Sequence, residues 1–282
     1  MQNLKLAVQK SGRTTKEILK ILRAANFDFD FFENGKLKIV CRNFPLEIFF
    51  VRNADILQFV ESDCVDCGFI GENILLENNS QLEILKKTGL LKCELCVAVP
   101  KNSTFKTWKN FENKKIATSY PNSAKNFFAE KKVKIKIVPL SGSVEIAPEI
   151  KIADAIVDLV SSGETLRQNN LKIFDSIFRS EVALVAKNSK NKFLAEFLFR
   201  IETVLNSKNQ KLLVFDAPKK NLAKMCEFLP CAESPTVAPL ANENWVSIST
   251  MADDEQFWKI APRLKKLGAK AILVLPIEKI VF

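Results

Sequence analysis

Short apolar runs alternate with amphipathic segments along most of the 282-residue chain. Runs such as LKLAVQK near the N-terminus and AIVDLV from position 155 have the apolar pattern of β-strands. Segments such as TTKEILKILRAANF repeat their apolar positions every three or four residues, which is typical of a helix with one buried face. Because strands and helices alternate, the pattern favours an α/β architecture with largely parallel sheets.

The order of the predicted elements divides the chain into three parts. We expect residues 1–100 and 181–207 to form a first lobe and residues 101–180 to form a second, since the chain returns to the first section near position 181. Two lobes joined by crossing strands place a ligand cleft between them. From residue 208 to residue 282 the order is strand, helix, two strands, helix, strand, which is that of a ferredoxin-like βαββαβ unit and suits an appended regulatory module.

Local signals predict where individual helices begin. Thr14 and Glu17 have the spacing of a capping box at the first helix, and Ser161 and Glu164 have the same spacing later in the chain. A further helix is predicted over GSVEIAPEI, residues 142–150.

Charge and hydropathy narrow the classes of function. The net charge of +10 predicts that the protein attracts anions. The chain has no basic run of five residues, and it has only one Tyr and three Trp for base stacking, so we expect no nucleic-acid binding. Small phosphorylated substrates fit the positive charge. No apolar run approaches the roughly 18 residues that span a bilayer, and the N-terminus lacks the apolar core of a signal peptide. We therefore expect no membrane association and a cytoplasmic location.

The seven cysteines include two C-x-x-C pairs, Cys64 with Cys67 and Cys93 with Cys96. Because Cys93 and Cys96 lie in a predicted strand, where residues three apart point to opposite faces, buried thiols are favoured over a zinc site. The chain has no histidine, which excludes Ser-His-Asp and Cys-His nucleophilic catalysis. Neither a dinucleotide-binding nor a P-loop glycine motif occurs.

One strand-to-helix junction, Ser161-Ser162-Gly163-Glu164-Thr165, has the chemistry of a phosphate site. Gly163 permits close approach of the backbone, and three hydroxyls and free amides can donate to phosphate oxygens. Taken alone, the junction is explained as simply by helix capping. Asp154 and Asp158 lie on one face of the preceding strand, and carboxylates beside an anion loop suit a ligand with sugar hydroxyls next to its phosphate.

Three other junctions repeat this pattern, and Arg52 adds a cation at the end of a further strand. Lys10-Ser11-Gly12-Arg13 places two cations and free amides at the start of a helix. Arg52 ends a strand, Gly71 and Glu72 stand at a strand-to-helix junction, and Ser141–Glu145 is a Gly/Ser turn. Each is an ordinary polar turn when considered alone, and together they favour a phosphate-binding unit.

Five segments together resemble the ATP phosphoribosyltransferase family in its long form: LAVQKSGR, VDCGFIGENIL, ATSYPN, SGSVEIAPEIKIADAIVDLVSSGETL and AKAILVLPIEKI. The resemblance runs from the first strand to the C-terminus. It implies two catalytic lobes like those of type II periplasmic binding proteins and a C-terminal regulatory domain. It also implies transfer of phosphoribosyl from 5-phosphoribosyl 1-pyrophosphate to N1 of ATP, with release of pyrophosphate and a requirement for Mg²⁺, as the first step of histidine biosynthesis. Inhibition by histidine and interconversion of dimers and hexamers are implied as well.

The resemblance also implies roles for particular residues. Pyrophosphate or triphosphate would be neutralised by Lys10, Arg13 and Arg52. The 5′-phosphate would be held by Ser161, Ser162, Gly163, Glu164 and Thr165, and the ribose hydroxyls by Asp154 and Asp158. ATP would be contacted by Glu72, Tyr120 and Glu145, although Tyr120 fits a half-buried loop anchor equally well. Inhibitory histidine would be bound by Asp216, Thr236 and backbone near Ala271. Glu72 and Glu145 would orient adenine or, through water, Mg²⁺. No direct protein ligand of the ion is assigned, because the substrates would mainly carry it.

Two interpretations outside catalysis stay open. The chain could be a non-catalytic, two-lobed anion-binding or sensor protein, or an inactive paralogue that acts as a regulatory subunit. The presence of Lys10, Arg13, Asp158 and the 161–165 junction favours the enzyme, because a pure binding protein need not keep both anion sites and the carboxylates.

Overall fold

A computed structural model describes residues 3–30, 36–187, 190–230 and 234–282. The chain separates into two compact units. The first consists of Met1–Lys20 and Phe27–Leu198, and the second consists of Ile21–Asn26 and Phe199–Phe282. The second unit thus contains the predicted C-terminal domain, residues 208–282, together with residues 21–26 and the end of the helix that precedes residue 208.

Strands and helices alternate through the first unit, as the apolar pattern predicts. The strands are β1 (Leu4–Gln9), β2 (Lys38–Val40), β3 (Leu46–Val51), β4 (Cys67–Gly71), β5 (Glu83–Lys87), β6 (Cys93–Pro100), β7 (Lys115–Thr118), β8 (Lys136–Pro139), β9 (Ala155–Val160), β10 (Leu171–Ser180) and β11 (Val182–Ala186). The helices up to the unit boundary are α1 (Arg13–Ala24), α2 (Asn53–Glu61), α3 (Glu72–Glu77), α4 (Pro121–Glu130), α5 (Glu164–Gln168) and α6 (Leu194–Ser207).

The first sheet has the order β2-β3-β1-β4-β11-β5. Strands β3 and β4 flank β1 and run parallel to it, whereas β2 and β11 run antiparallel to their neighbours. Because β1, β3 and β4 are parallel, their carboxyl ends at Gln9, Val51 and Gly71 lie at one edge of the sheet, where ligands bind in α/β folds.

The second sheet has the order β10-β6-β9-β7-β8. Strands β7, β8 and β9 are parallel, so the loops after Thr118, Pro139 and Val160 share one edge. Strand β6 runs antiparallel to both β9 and β10. Residues 93–100, which the sequence placed with the first lobe, therefore belong to the second sheet. Strand β5 was not predicted, and the sheets are mixed and not largely parallel.

Aromatic side chains fill the core beside the second sheet. Phe111 is fully buried, and its ring centroid lies 4.4 Å from that of Phe105, 4.8 Å from that of Phe174 and 5.4 Å from that of Phe128. This core supports β9 and hence the loop that follows it, because Val157 and Ala155 of that strand belong to the same cluster.

Two predicted helix starts are wrong. Helix α1 begins at Arg13, and the carbonyl of Gly12 accepts its first hydrogen bond from the N–H of Lys16, so Thr14 lies inside the helix and does not cap it. Over residues 142–150 the structure has a short 3₁₀ turn, Val144–Ile146, in place of a helix. Ser143 adopts a left-handed φ of 48°, and Pro148 lacks the N–H that an α-helix needs.

The second unit contains a four-stranded antiparallel sheet. Its strands are β12 (Gln210–Pro218), β13 (Thr236–Pro239), β14 (Trp245–Asp253) and β15 (Lys270–Pro276), and its helices are α7 (Leu222–Cys226) and α8 (Asp254–Lys266). The strand order is β13-β14-β12-β15. This order confirms the ferredoxin-like fold, because the second and fourth strands of the βαββαβ unit lie at the two edges. Within the described ranges, no helix has the length and apolar character needed to cross a membrane.

We predict that Phe111→Ala lowers the free energy of unfolding by about 3–5 kcal/mol, because it leaves a cavity among packed rings. Chemical unfolding followed by tryptophan fluorescence measures the change. Ile150, which is 57% exposed, provides the control, since Ile150→Ala removes little buried surface and should change stability by less than about 0.5 kcal/mol. Equal effects of the two substitutions would contradict the packing argument.

Candidate functional site

The loop after β9 presents its hydroxyls outward. Gly163 has φ 74° and stands at the N-cap of α5 without any side-chain cap. The capping-box interpretation of Ser161 and Glu164 is therefore wrong. The carboxylate of Glu164 accepts hydrogen bonds from Arg167 and Gln168 of its own helix, and Arg167 lowers the pKa of Glu164. Ser161, Ser162 and Thr165 are exposed.

Asp158 is half-buried near the end of β9. Its Oδ1 accepts a hydrogen bond of 2.8 Å from the N–H of Leu159. Burial raises the pKa of Asp158, the hydrogen bond from Leu159 opposes that rise, and the negative charge of Glu145 adds to it. The structure thus brings Asp158 and Glu145 to one place, although the sequence separates them by a turn and an irregular segment.

Asp154 lies elsewhere, which corrects its assignment to the same ligand as Asp158. It precedes β9, and its Oδ2 accepts a hydrogen bond of 2.8 Å from the N–H of Lys115 at the start of β7. The ammonium of Lys114 is 3.8 Å from its Oδ1. Four residues of strand separate Asp154 from Asp158 by about 13 Å, so Asp154 lies towards the amino edge of the second sheet.

Tyr120 stands at the N-cap of α4 and is half-buried. Its hydroxyl accepts a hydrogen bond of 3.2 Å from Nδ2 of Asn73 in α3, the helix that follows β4 of the first sheet. Burial raises the pKa of Tyr120 to about 12, with a further contribution from Asp158. Tyr120 is therefore an anchor between the two lobes and a neighbour of Asp158.

Glu72 is buried at the start of α3. Its Oε1 lies 2.6 Å from the ammonium of Lys87, and its Oε2 accepts a hydrogen bond of 3.2 Å from the N–H of Glu181. Next to it, the N–H of Asn73 donates to Oγ of Ser180 at 2.9 Å. No sequence signal points to Lys87, Asn73 or Ser180, because their partners are distant along the chain.

A cavity of about 580 Å³ connects these elements. It is lined by Ser161, Ser162 and Gly163 of the loop after β9, by Glu72 of α3, and by Cys93 and Cys96 of β6. Its further charged lining residues are Lys87, Lys92, Glu94, Arg179 and Glu181. The hydroxyl loop and Glu72, which come from different sheets, thus face one space.

Lys10, Arg13 and Arg52 lie at the carboxyl edge of the first sheet and are exposed. The N–H of Lys10 donates a hydrogen bond of 2.7 Å to the carbonyl of Val51, so the loops that carry Lys10 and Arg52 are adjacent. None of the three is among the residues that line the 580 Å³ cavity.

The predicted histidine-binding residues lie in the sheet of the second unit. Asp216 in β12 is paired with Ser247 and Lys270, and Thr236 in β13 is paired with Ser249. Asp216 and Thr236 share the face of the sheet away from the buried core, two strands or roughly 10 Å apart. Ala271 has a left-handed φ of 49° beside a register shift in β15.

Three of the four C-x-x-C cysteines, Cys67, Cys93 and Cys96, lie in strands, whereas Cys64 is exposed ahead of β4 and Cys93 is only partly buried. Cys67 and Cys96 are buried, which confirms the interpretation of these two residues as buried thiols. Burial raises the pKa of Cys67, and it raises the pKa of Cys96 to about 11. Across the described part of the chain, no group of three His, Cys, Asp or Glu side chains is arranged to hold a metal ion.

Comparisons with known proteins match this architecture. The family model for ATP phosphoribosyltransferase matches residues 52–207, and the model for the HisG C-terminal domain matches residues 207–279. The ATP phosphoribosyltransferase of Cytophaga hutchinsonii is 41% identical over 99% of this chain and 98% of its own length. That of Parabacteroides distasonis is 41% identical over 99% of each chain.

Solved structures show the fold of the first unit. A chain of the ATP phosphoribosyl transferase (HisG:HisZ) complex from Thermotoga maritima superposes with a TM-score of 0.63 at 28% identity, over 72% of this chain and 98% of that one. Tv2483 bound to L-arginine superposes with a TM-score of 0.50 at 14% identity, over 73% and 84% of the two chains.

The two joined α/β lobes and the ferredoxin-like C-terminal unit define a two-lobed enzyme with an appended domain. The chain belongs to the ATP phosphoribosyltransferase family, in its long form, and is a transferase. The comparisons give no support to the non-catalytic sensor or the inactive paralogue.

We predict that Asp158→Asn raises the free energy of unfolding near neutral pH. Because the pKa of Asp158 is higher in the folded than in the unfolded chain, the wild-type protein loses stability as the pH rises through the folded pKa, and the amide does not. Thermal unfolding at about pH 7 and about pH 4 should show a gain that shrinks in acid.

Asp154→Asn is the matched control, since the Asp154 carboxylate already has a backbone donor and a nearby lysine. It should give no gain at neutral pH. A gain for Asp158→Asn that grows as the pH falls would contradict the assigned direction of the pKa shift.

Proposed function

We propose that this chain transfers phosphoribosyl from 5-phosphoribosyl 1-pyrophosphate to N1 of ATP, releasing pyrophosphate, as the first step of histidine biosynthesis. The observation that carries the proposal is the exposed hydroxyl loop after β9, which lines a 580 Å³ cavity together with Cys96, the neighbour of the half-buried Asp158 on the adjacent strand. Membership of the ATP phosphoribosyltransferase family supports the reaction.

The loop after β9 suits the 5′-phosphate. Ser161, Ser162 and Thr165 offer hydroxyl donors, and Gly163 carries no Cβ that would keep a phosphate from the backbone. Glu164 is engaged with Arg167 on α5, so its role in this proposal is to order the helix and not to contact the anion.

Asp158 suits the ribose hydroxyls, because an ionised carboxylate accepts hydrogen bonds only. Glu145 lies close enough to raise the pKa of Asp158, which means that two carboxylates face the same region. Departure of pyrophosphate leaves positive charge on the sugar, as in glycoside hydrolysis, and nearby carboxylates stabilise that charge. Asp154 has no part in this proposal.

In this proposal the positive charges of Lys10, Arg13 and Arg52 bind the polyphosphate. They stand at the carboxyl ends of β1 and β3, where adjacent loops concentrate positive charge at a sheet edge. Neutralising the departing pyrophosphate lowers the barrier without any side-chain nucleophile, because N1 of adenine is itself the nucleophile. In this proposal Tyr120 contacts the purine and Glu72 orients it, and the contacts of Tyr120 with Asn73 and of Glu72 with Lys87 support fixed positions for both side chains.

Mg²⁺ is the expected ion. The oxygen donors Asp158 and Glu145 fit it, since Mg²⁺ in such sites is held by one or two carboxylates together with substrate phosphates. When bound, the ion would neutralise charge on the pyrophosphate. We assign these two residues as its protein neighbours, directly or through water.

The remaining assignments are part of the same proposal. Residues 208–282 would be the regulatory domain, with histidine contacting Asp216, Thr236 and the backbone near Ala271. The left-handed Ala271 beside a register shift supports this position, because irregular backbone frees groups for a ligand. Residues 1–100 and 181–207 would form one catalytic lobe and 101–180 the other, except that β6 joins the second. We also propose a cytoplasmic location and a homo-oligomer that changes between dimer and hexamer.

The reaction is tested by mixing the protein with ATP, 5-phosphoribosyl 1-pyrophosphate and Mg²⁺ and measuring pyrophosphate through a coupled pyrophosphatase. We expect release that requires both substrates. Asp158→Asn should lower kcat/KM for 5-phosphoribosyl 1-pyrophosphate on the order of 100-fold and change ATP affinity little, because it weakens contacts to the ribose alone. Absence of release with both substrates would reject the reaction, and equal losses for both substrates would reject the ribose role.

Histidine at millimolar concentration should inhibit pyrophosphate release. Asp216→Asn should weaken that inhibition on the order of tenfold and leave uninhibited activity intact, because a charged contact is lost outside the catalytic lobes. Lys211→Gln, a change on the same strand β12, is the control. Unchanged inhibition of Asp216→Asn would remove Asp216 from the histidine site.

A further inference from the structure

A carboxylate of α3 caps the N-terminus of α4. Glu77, the last residue of α3, accepts hydrogen bonds from the N–H of Asn122 at 2.8 Å and from the N–H and Oγ of Ser123 at 2.9 and 2.7 Å. Its carbonyl accepts a further bond of 3.0 Å from Nδ2 of Asn122. We call these contacts of Glu77 with Asn122 and Ser123 the Glu77 clasp.

The Glu77 clasp supplies the hydrogen-bond acceptors that α4 lacks among the residues at its own N-terminus. Tyr120, the N-cap residue, makes no side-chain cap hydrogen bond, and Pro121 at the next position has no N–H. The first two free amides of the helix are those of Asn122 and Ser123, and both donate to Glu77. A negative charge at this end also suits the helix dipole. Helix α4 is thus completed by a residue from the other lobe.

Tyr120 is held from two sides by this arrangement. Its backbone leads directly into the clasped helix, and its hydroxyl accepts from Asn73, one turn before Glu77 on α3. Asn73 is fixed in turn, because Oγ of Ser180 donates to its Oδ1 at 3.1 Å. The ring lies near Asp158 as a result. Movement of α3 away from α4 would release the tyrosine and uncap the helix together.

We propose that Glu77 is a positioning residue for the transfer reaction: by joining α3 to the N-terminus of α4, it holds the lobes together beside the cleft and fixes Tyr120 next to Asp158. This inference rests on the proposed function for its kinetic consequence. The clasp itself rests on contacts that can be measured without substrate.

Glu77→Gln is the test variant. Three donors converge on two carboxylate oxygens, so an amide group in place of one oxygen puts donor against donor. We expect KM for ATP to rise on the order of tenfold, and KM for 5-phosphoribosyl 1-pyrophosphate to change less than about twofold. Glu83→Gln removes the same charge from an exposed position on β5 and should match the wild type.

Two measurements report on the clasp without catalysis. Tyr120 is the only tyrosine, so absorbance of the phenolate follows this residue alone. In the wild type it should stay largely protonated at about pH 11, whereas Glu77→Gln should titrate earlier, both because the ring becomes more exposed and because the negative charge of Glu77, which raises this pKa, is lost. Ser123→Ala keeps the charge of Glu77, so an earlier titration in that variant reports on the hydrogen bonds of the clasp alone. Hydrogen exchange of the amides of Asn122 and Ser123 should also become faster in the variant.

The outcomes separate the two proposals. Unchanged titration and exchange in a folded Glu77→Gln protein would overturn the clasp, and altered titration with an unchanged ratio of the two KM values would overturn its positioning role. An inactive wild type would count against the proposed reaction, while titration and exchange would still decide the clasp.

If Glu77→Gln does not fold, Ser123→Ala, which removes one of the three donors, should shift the titration and the KM for ATP in the same direction by less. If neither the titration of Tyr120 nor the KM for ATP changes in Ser123→Ala, the inference is overturned.

Discussion

The whole site depends on one set of hydrogen bonds, between the start of α3 and the turn that joins β10 to β11. The N–H of Glu72 donates to the carbonyl of Glu181 at 3.0 Å, and the N–H of Glu181 donates back to the carboxylate of Glu72. These bonds bring a loop of the first sheet against the strand that leaves the second. Together with the chain crossings from β5 to β6 and from β10 to β11, they hold the loops of the two sheets in one compact unit.

The cations and carboxylates assigned to the candidate site come from loops and strands of different sheets. Cations stand on the loops after β1 and β3, whereas the second sheet contributes Asp158 and Glu145. This division explains how a chain with a net charge of +10 can present carboxylates to a substrate that is itself anionic. In the proposed reaction, polyphosphate and sugar would meet opposite electrostatic environments, and burial of the Asp158 carboxylate carries a cost in desolvation.

Much of this arrangement could be predicted from local sequence. The strand AIVDLV, the hydroxyl loop after it and the βαββαβ order are short-range patterns, and each is present in the structure. The membership of β6 could not be predicted, because the choice of neighbouring strands is a tertiary one. Asp154 was misplaced for a related reason. Alternation along a strand gives the face of a residue, but not how far along the sheet a ligand reaches.

Capping was the least predictable feature. The patterns at Thr14 and Ser161 fit capping boxes, yet glycines at positions 12 and 163 begin both helices in left-handed conformations. Conversely, α4 has no local capping signal, since its cap comes from Glu77, which is 46 residues from Ser123. Whether a local capping pattern forms its hydrogen bonds depends on the backbone conformation beside it and on side chains from distant parts of the chain.

The two chain crossings between the sheets also determine how the first unit can move. The N–H of Thr88 donates to the carbonyl of Val182 at 3.0 Å, and the N–H of Val182 donates to the carbonyl of Leu90 at 3.1 Å. Because the two crossings are bonded side by side, we expect the two lobes to move relative to each other chiefly by bending at these crossings. In the proposed reaction, such bending would bring the groups of the two sheets towards one another and help to orient the reactants.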